Sequence, residues 1–208
     1  MKKISILTVF LAILISSACG NSGKKENKSL DKVETNEKAK TANDFHLQQK
    51  GDYTQLYTPN EECKLTTSQF AQALGYSDGQ VEEQSNYQGN CWYKVTHQGN
   101  FTVNYGIGLE KWGDKNIVED QIKNGLKNEM VDVRISESGD TYIKRHPVQG
   151  FLLLLNTNYG NPIKISYSYL NPNGPKLTDS QREEQKRNTY KIANYLIDHH
   201  QKPSKHKS

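Results

Sequence analysis

The side chains able to do chemistry in this chain are 3 cysteines, 6 histidines and an aromatic set in which 12 tyrosines outnumber 5 phenylalanines and 2 tryptophans. A thiol can accept a lipid, close a disulfide, ligate a metal or attack a carbonyl, and its neighbours decide which. Cys19, Cys63 and Cys91 are far apart, with no Cys-x-x-Cys and no His-x-x-x-His beside them, so no metal site is expected. His199, His200 and His206 sit in a basic C-terminal stretch, and His46, His97 and His146 have no ligand pattern nearby. Gly-x-Ser-x-Gly, a phosphate-binding glycine loop and His-Glu-x-x-His are all missing from the sequence, so neither a familiar catalytic motif nor a cofactor is indicated. Tyrosine suits recognition, because its ring supplies contact area while its hydroxyl keeps a polar bond. Tyr87, Trp92, Tyr93, Tyr105, Trp112, Tyr159, Tyr167 and Tyr169 could line a pocket or patch, although such residues also fill cores and sheet faces. The candidate binding residues are Trp112, Tyr105, Tyr159, Tyr167 and Tyr169, with Trp112 on a loop and therefore expected to be exposed.

The address of the protein is written at its N-terminus. Lys2 and Lys3 precede an apolar run, Ile4 to Ile15, which the small residues Ser16, Ser17 and Ala18 follow. A positive start, a short apolar core and a small-residue exit make a secretory signal peptide. Cys19-Gly20-Asn21-Ser22 then resembles the bacterial lipobox, with Ser16 at the place where leucine is usual. The resemblance implies a diacylglyceryl group on Cys19 and attachment to the outer leaflet of the cytoplasmic membrane. An ordinary signal peptide with an incidental cysteine is the alternative. Acylation of Cys19 would leave the even pair Cys63 and Cys91, for which one disulfide is the economical assignment and separate thiols the alternative. Closing a loop of roughly 30 residues is worth about 3.5 kcal/mol in the chain-entropy picture. Trp92, next to Cys91, is expected to pack on that bond.

Composition narrows the class. Hydrophobic residues are 34% of the 208 and the mean hydropathy is -0.86, which excludes a polytopic membrane protein. The formal charge of +4 includes Lys2 and Lys3, too weak a bias for a nucleic-acid partner. From Gly20 to about Asn43 the chain is polar and its charges alternate in sign, so it reads as a solvated spacer. The expected organisation is a signal peptide at 1–18, a lipidated N-terminus and tether at 19–43, an extended arm at 44–62, one α+β domain at 63–201 and a basic tail at 202–208.

Local signals in that domain agree with one another. Thr66 and Gln69 make a capping box, Leu65 and Phe70 a staple, and Gly75 a helix end, predicting a short helix. Strands are expected at Val81 to Ser85, Cys91 to His97 and Phe101 to Leu109, the last with period-two alternation, and Gln98-Gly99-Asn100 as a turn. Asn116 and Glu119 have capping-box spacing, and Val118, Ile122, Leu126 and Met130 recur every four residues, predicting an amphipathic helix weakened by Gly125. Further strands are expected at Asp132 to Ser136, Thr141 to Pro147, Phe151 to Thr157 and Ile163 to Leu170. The Leu152–Leu155 run marks a strand buried on both faces. A last helix starts at the Thr178–Gln181 box, presents Thr189, Ile192, Ala193, Leu196 and Ile197 to the core, and is stopped by Pro203. The predicted class is α+β, a mainly antiparallel sheet of about six to seven strands with helices packed on it.

Cys63-Lys64-Leu65-Thr66, the helix end Ala73-Leu74-Gly75 and Asn90-Cys91-Trp92 resemble a family of Gram-positive cell-envelope lipoproteins best populated in actinobacteria. That family is related to the extracellular sensor domains of mycobacterial serine/threonine kinases and has a PsbP-like α/β/α sandwich. The resemblance covers roughly residues 63–197 and implies a fold and a location but no reaction. The Lys- and Asn-rich composition points to a low-GC Gram-positive source. The expected function is a lipid-anchored extracytoplasmic binding module with an unidentified protein, peptide or envelope ligand. An immunity or exclusion lipoprotein that sequesters a toxin or partner, and an envelope hydrolase without a familiar motif, are the alternatives.

Overall fold

The computed structural model describes residues 51–52, 54–57, 65–87, 90–99, 101–169, 176–200 and 202–203. The signal peptide, Cys19, the tether, Cys63 and the Asn171 to Pro175 loop lie outside the described residues. All described residues belong to one unit, Asn36–Ser208.

Helix α2 (Thr67–Leu74) forms where the capping box and staple place it. Thr66 Oγ1 accepts from the Gln69 amide at 3.2 Å and Gln69 Oε1 accepts from the Thr66 amide at 2.8 Å. Gly75 ends the helix in the left-handed region, with φ 76°, a conformation that costs glycine nothing. Phe70, Ala71 and Leu74 are buried; the Phe70 ring stacks on Tyr93 at 4.1 Å, whose hydroxyl donates to the Leu65 carbonyl. A 3-10 turn, Asp78–Gln80, leads into the sheet.

The sheet has seven strands, all antiparallel. A first meander is β2 (Val81–Tyr87), β3 (Asn90–Thr96) and β4 (Thr102–Leu109). Helix α3 (Lys115–Lys127) then carries the chain to the far edge, where β5 (Val133–Ile135), β6 (Tyr142–Arg145) and β7 (Leu152–Leu155) form a second meander running inward. Strand β8 (Ile163–Tyr169) closes the sheet by lying between β4 and β7, so the order is β2-β3-β4-β8-β7-β6-β5. The class is therefore α+β with a seven-stranded antiparallel sheet.

Two cores lie on opposite faces. The larger joins α2 and α4 (Asp179–His200) to Tyr93, Val95, Val103, Tyr105, Ile107, Leu152, Leu154 and Ile165. The smaller holds Val118 and Ile122 of α3 against Val133, Tyr142, Leu153 and Leu155. The leucine run of β7 thus feeds both cores, as a strand buried on two sides must, and burying each leucine contributes about 1.5–3 kcal/mol.

Helix α4 has its box at Thr178 and Gln181 and buries all five of the expected core residues. It also buries Gln185, Asn188 and Asn194, which its alternation with polar residues does not announce. Arg145 reaches under it, with Nη2 donating to Thr189 Oγ1 at 2.7 Å and the guanidinium 4.8 Å above the Tyr190 ring.

Three expectations need correction here. Helix α3 is capped by Asp114, whose carboxylate accepts from the Asn116 amide at 2.8 Å, not by Asn116 and Glu119; a carboxylate two residues ahead reaches the free amide first. Met130 is 89% exposed, because the helix stops at Lys127 and Asn128 Oδ1 accepts from the Met130 amide in the following turn. The stretch read as an extended arm contains a two-residue strand β1 (Gly51–Asp52) and a one-turn helix α1 (Thr54–Tyr57). Leu56 and Tyr57 are buried in the main core. Its β1 pairs antiparallel with β9 (Lys202–Pro203) from the basic tail. Gly125 is buried, and a Cβ there would lie 2.7 Å from Val133 Cγ2, so the close packing of α3 on the sheet requires the residue that lowers its helix propensity.

Candidate binding face

The structure does not bring the five expected binding residues together. Register explains why: Tyr105 pairs with Tyr167 and Val103 with Tyr169, so all three tyrosines point to the face that α2 and α4 cover. Tyr105 is 0% exposed, and its assignment to a binding surface is overturned. Tyr167 and Tyr169 are half-buried against the main core, as is Tyr159, which stacks on Tyr57 at 4.4 Å. Trp112, expected on an open loop, is half-buried against the smaller core.

Trp92 is placed opposite to its expectation. Adjacent strand residues face opposite ways, so Cys91 is buried in the main core while Trp92 lies on the other face, half-buried. It cannot pack on a disulfide made by its neighbour. Cys91 is disulfide-bonded; Cys63, its expected partner, lies outside the described residues.

The face that Trp92 shares is the part of the sheet that α3 leaves uncovered. Helix α3 and its core residues pack on β5, β6 and β7. Among the described residues no helix covers the same face of β2, β3, β4 and β8. Its side chains follow from the register in cross-strand rows: Glu82, Lys94, Asn104 and Ser168 in one, and Gln84, Trp92, Gly106 and Ser166 in the next.

Gly106 makes the floor. A Cβ at this position would lie 2.8 Å from Trp92 Cζ3, 2.9 Å from Cη2 and 3.0 Å from Ser166 Oγ, so the indole rests directly on backbone. Gly108, two residues on, is roofed by the Asn90 side chain in the same way. An aromatic ring laid over a strand glycine shields backbone that would otherwise be wet. The signal was in the sequence: Gly106 and Gly108 occupy alternate positions of a strand whose other positions are Tyr105, Ile107 and Leu109.

Two lysines on this face are paired. Lys94 Nζ lies 3.0 Å from Glu82 Oε2, and that bond lowers the Glu82 pKa. Lys164 Nζ lies 3.3 Å from Glu110 Oε1 and 4.7 Å above the Phe151 ring. An open depression of about 530 Å³ lined by Asn90, Leu109, Glu110 and Lys111 adjoins the glycine floor. Asn104 Oδ1 is buried on this side without a hydrogen-bond partner.

A second polar cluster is shut inside the molecule. His97 is 2% exposed; its Nδ1 is 3.0 Å from the Tyr76 hydroxyl and 3.2 Å from Glu184 Oε1, and its Nε2 is 3.3 Å from the Tyr105 hydroxyl. Burial lowers the His97 pKa and outweighs the opposing effect of Glu184, so the imidazole is neutral and the contact is a hydrogen bond. Because the Tyr76 hydroxyl donates to Glu184 at 2.7 Å, the proton belongs on Nδ1, with Nε2 accepting from Tyr105. Burial, then the bond to Glu184, pushes the Tyr76 pKa up to about 12. Histidine, carboxylate and tyrosine are the parts of an acid–base relay, but here they tie α4 to the end of β3 with both ring nitrogens engaged.

Among the described residues no three His, Cys, Asp or Glu side chains are grouped to hold a metal ion, and no helix is long and apolar enough to cross a membrane. No protein-family model, no curated protein and no solved structure matches the chain.

Proposed function

We propose that this chain is a lipid-anchored, extracytoplasmic binding module of a Gram-positive cell surface, and that the uncovered half of its sheet, centred on Trp92, is the surface that meets the ligand. The leader, the small-residue exit and Cys19 support the location. The observation that carries the binding role is the half-buried indole of Trp92, on the sheet face that α3 leaves uncovered, packed on Gly106 beside a polar depression. Large aromatics supply a disproportionate share of contact energy where they meet a partner, and this one is held in place by strands on either side.

The test uses full-length protein carrying Trp112→Phe, in which Trp92 is the single fluorescent tryptophan. Solubilised cell-envelope material should change the Trp92 emission in a saturable way. Ser168→Arg, which adds bulk at an exposed position of the same face, should weaken the response about tenfold, the size of one lost contact of about 1.4 kcal/mol. An equal response with and without Ser168→Arg would move the ligand to another surface.

A further inference from the structure

Resting on the reading of the Trp92 surface as ligand-facing, we infer that its ligand is an uncharged sugar chain. A pyranose ring has an apolar face of C–H groups and a rim of hydroxyls that both donate and accept. A complementary protein surface needs a flat aromatic ring, neutral groups that donate and accept, and no unbalanced charge. The six-membered ring of the Trp92 indole packs on Gly106 through Cζ3 and Cη2. Around it stand the amides of Gln84 and Asn90 and the hydroxyls of Ser166 and Ser168, groups that can each serve as donor and acceptor.

Charge then separates the ligand classes. A polyanion would call for a cluster of uncommitted cations, but Lys94 is bonded to Glu82 and Lys164 to Glu110, and Lys111 at the depression is a single cation and not a cluster. A protein partner would call for a contiguous apolar centre, whereas one row flanking Trp92 is Glu82, Lys94, Asn104 and Ser168 and the other runs from Tyr87 through Asn90 to Gly108 and Lys164. Dimensions fit a short oligomer: at about 4.8 Å between strands, β2, β3, β4 and β8 span roughly 15 Å, close to three sugar units of roughly 5 Å each. The depression by Asn90 and Glu110 continues the track beyond Gly108.

Full-length Trp112→Phe protein titrated with chitohexaose, a neutral oligosaccharide, and with cellohexaose tests the inference, with polygalacturonate as the anionic comparison. At least one neutral oligomer should bind with a saturable change in Trp92 emission, an affinity unchanged between about 0.05 and about 0.5 M salt, and a loss of about tenfold on Ser168→Arg. Calorimetry on Trp92→Ala, with a thermal melt confirming the fold, should show no binding. Binding of polygalacturonate alone, abolished by salt, would overturn the sugar's neutrality while leaving the face intact. Silence of every sugar, with envelope material still read by Trp92 and blocked by Ser168→Arg, would overturn the glycan inference alone. Silence of all probes at Trp92 would overturn the face itself.

Discussion

Gly106→Ala separates recognition from stability. The new Cβ would lie 2.8 Å from Trp92 Cζ3 and 2.9 Å from Cη2, whereas carbon atoms in ordinary contact are about 3.6 Å apart, so the indole must lift by about 0.8 Å. Two effects on stability oppose each other. Replacing glycine inside a strand restricts the unfolded chain and contributes about 0.5–1 kcal/mol. Lifting the ring re-exposes on the order of 40 Å² of apolar surface, which costs about 1 kcal/mol. The net change should stay within about 1 kcal/mol, equivalent to about 2–4 °C in Tm for a chain of this size. Ligand affinity should fall about tenfold, because the displaced ring no longer meets the ligand in the same position. Thermal melts and Trp92 fluorescence titrations of one preparation measure both. A Tm loss above about 10 °C would mean that the ring is clamped from above and the face is closed. Unchanged affinity would remove Trp92 from recognition.

Three further outcomes follow from the same structure and sequence. Labelled palmitate should enter the wild type and not Cys19→Ala, and equal labelling would reject lipidation at this cysteine. Thiol labelling under denaturing, non-reducing conditions should find neither Cys63 nor Cys91 free, and Cys63→Ala with Cys91→Ala should lower stability by about 3.5 kcal/mol; two labelled thiols would refute the pairing. Burial holds the His97 pKa below its ordinary 6.5, so the unfolded chain takes up that proton first and stability is lost as pH falls below about 6.5, with a slope of at most about 1.4 kcal/mol per pH unit. Glu184, Tyr76 and Tyr105 face the ring. Melts between about pH 7 and 5 should be flatter for His97→Gln, and an identical slope would assign the effect to other groups.

What the sequence disclosed and what it withheld divide along the range of the interactions. The boxes at Thr66 and Thr178 close over three residues, and both form as read. The Leu152–Leu155 run could be recognised as a two-sided strand because its composition alone demands two apolar neighbours. Where two local devices competed, as at Asp114 and Asn116, spacing did not rank them. Recurrence every four residues carried α3 on to Met130, since periodicity marks a face but not an end.

The binding face was harder, for two reasons. Which side of a strand is covered depends on where α3 crosses and on β8 entering between β4 and β7, pairings between residues distant in the chain. Tyr105, Tyr167 and Tyr169 therefore read as recognition residues until their shared side is known to be the helix-covered one. Trp92 was misplaced by adjacency to Cys91, although strand alternation already set the two on opposite faces. Gly106 and Gly108 were the legible clue, small residues on the polar phase of an otherwise apolar-alternating strand.

The most direct test of the Trp92 face is residue-level mapping on isotopically labelled full-length protein. Solubilised envelope fragments should shift the Trp92 indole N–H and the amides of Lys94, Asn104, Gly106, Gly108, Ser166 and Ser168, leaving the Trp112 indole and the amides of α2 and α4 in place. Shifts confined to α2 and α4, with the Trp92 indole unmoved, would contradict it.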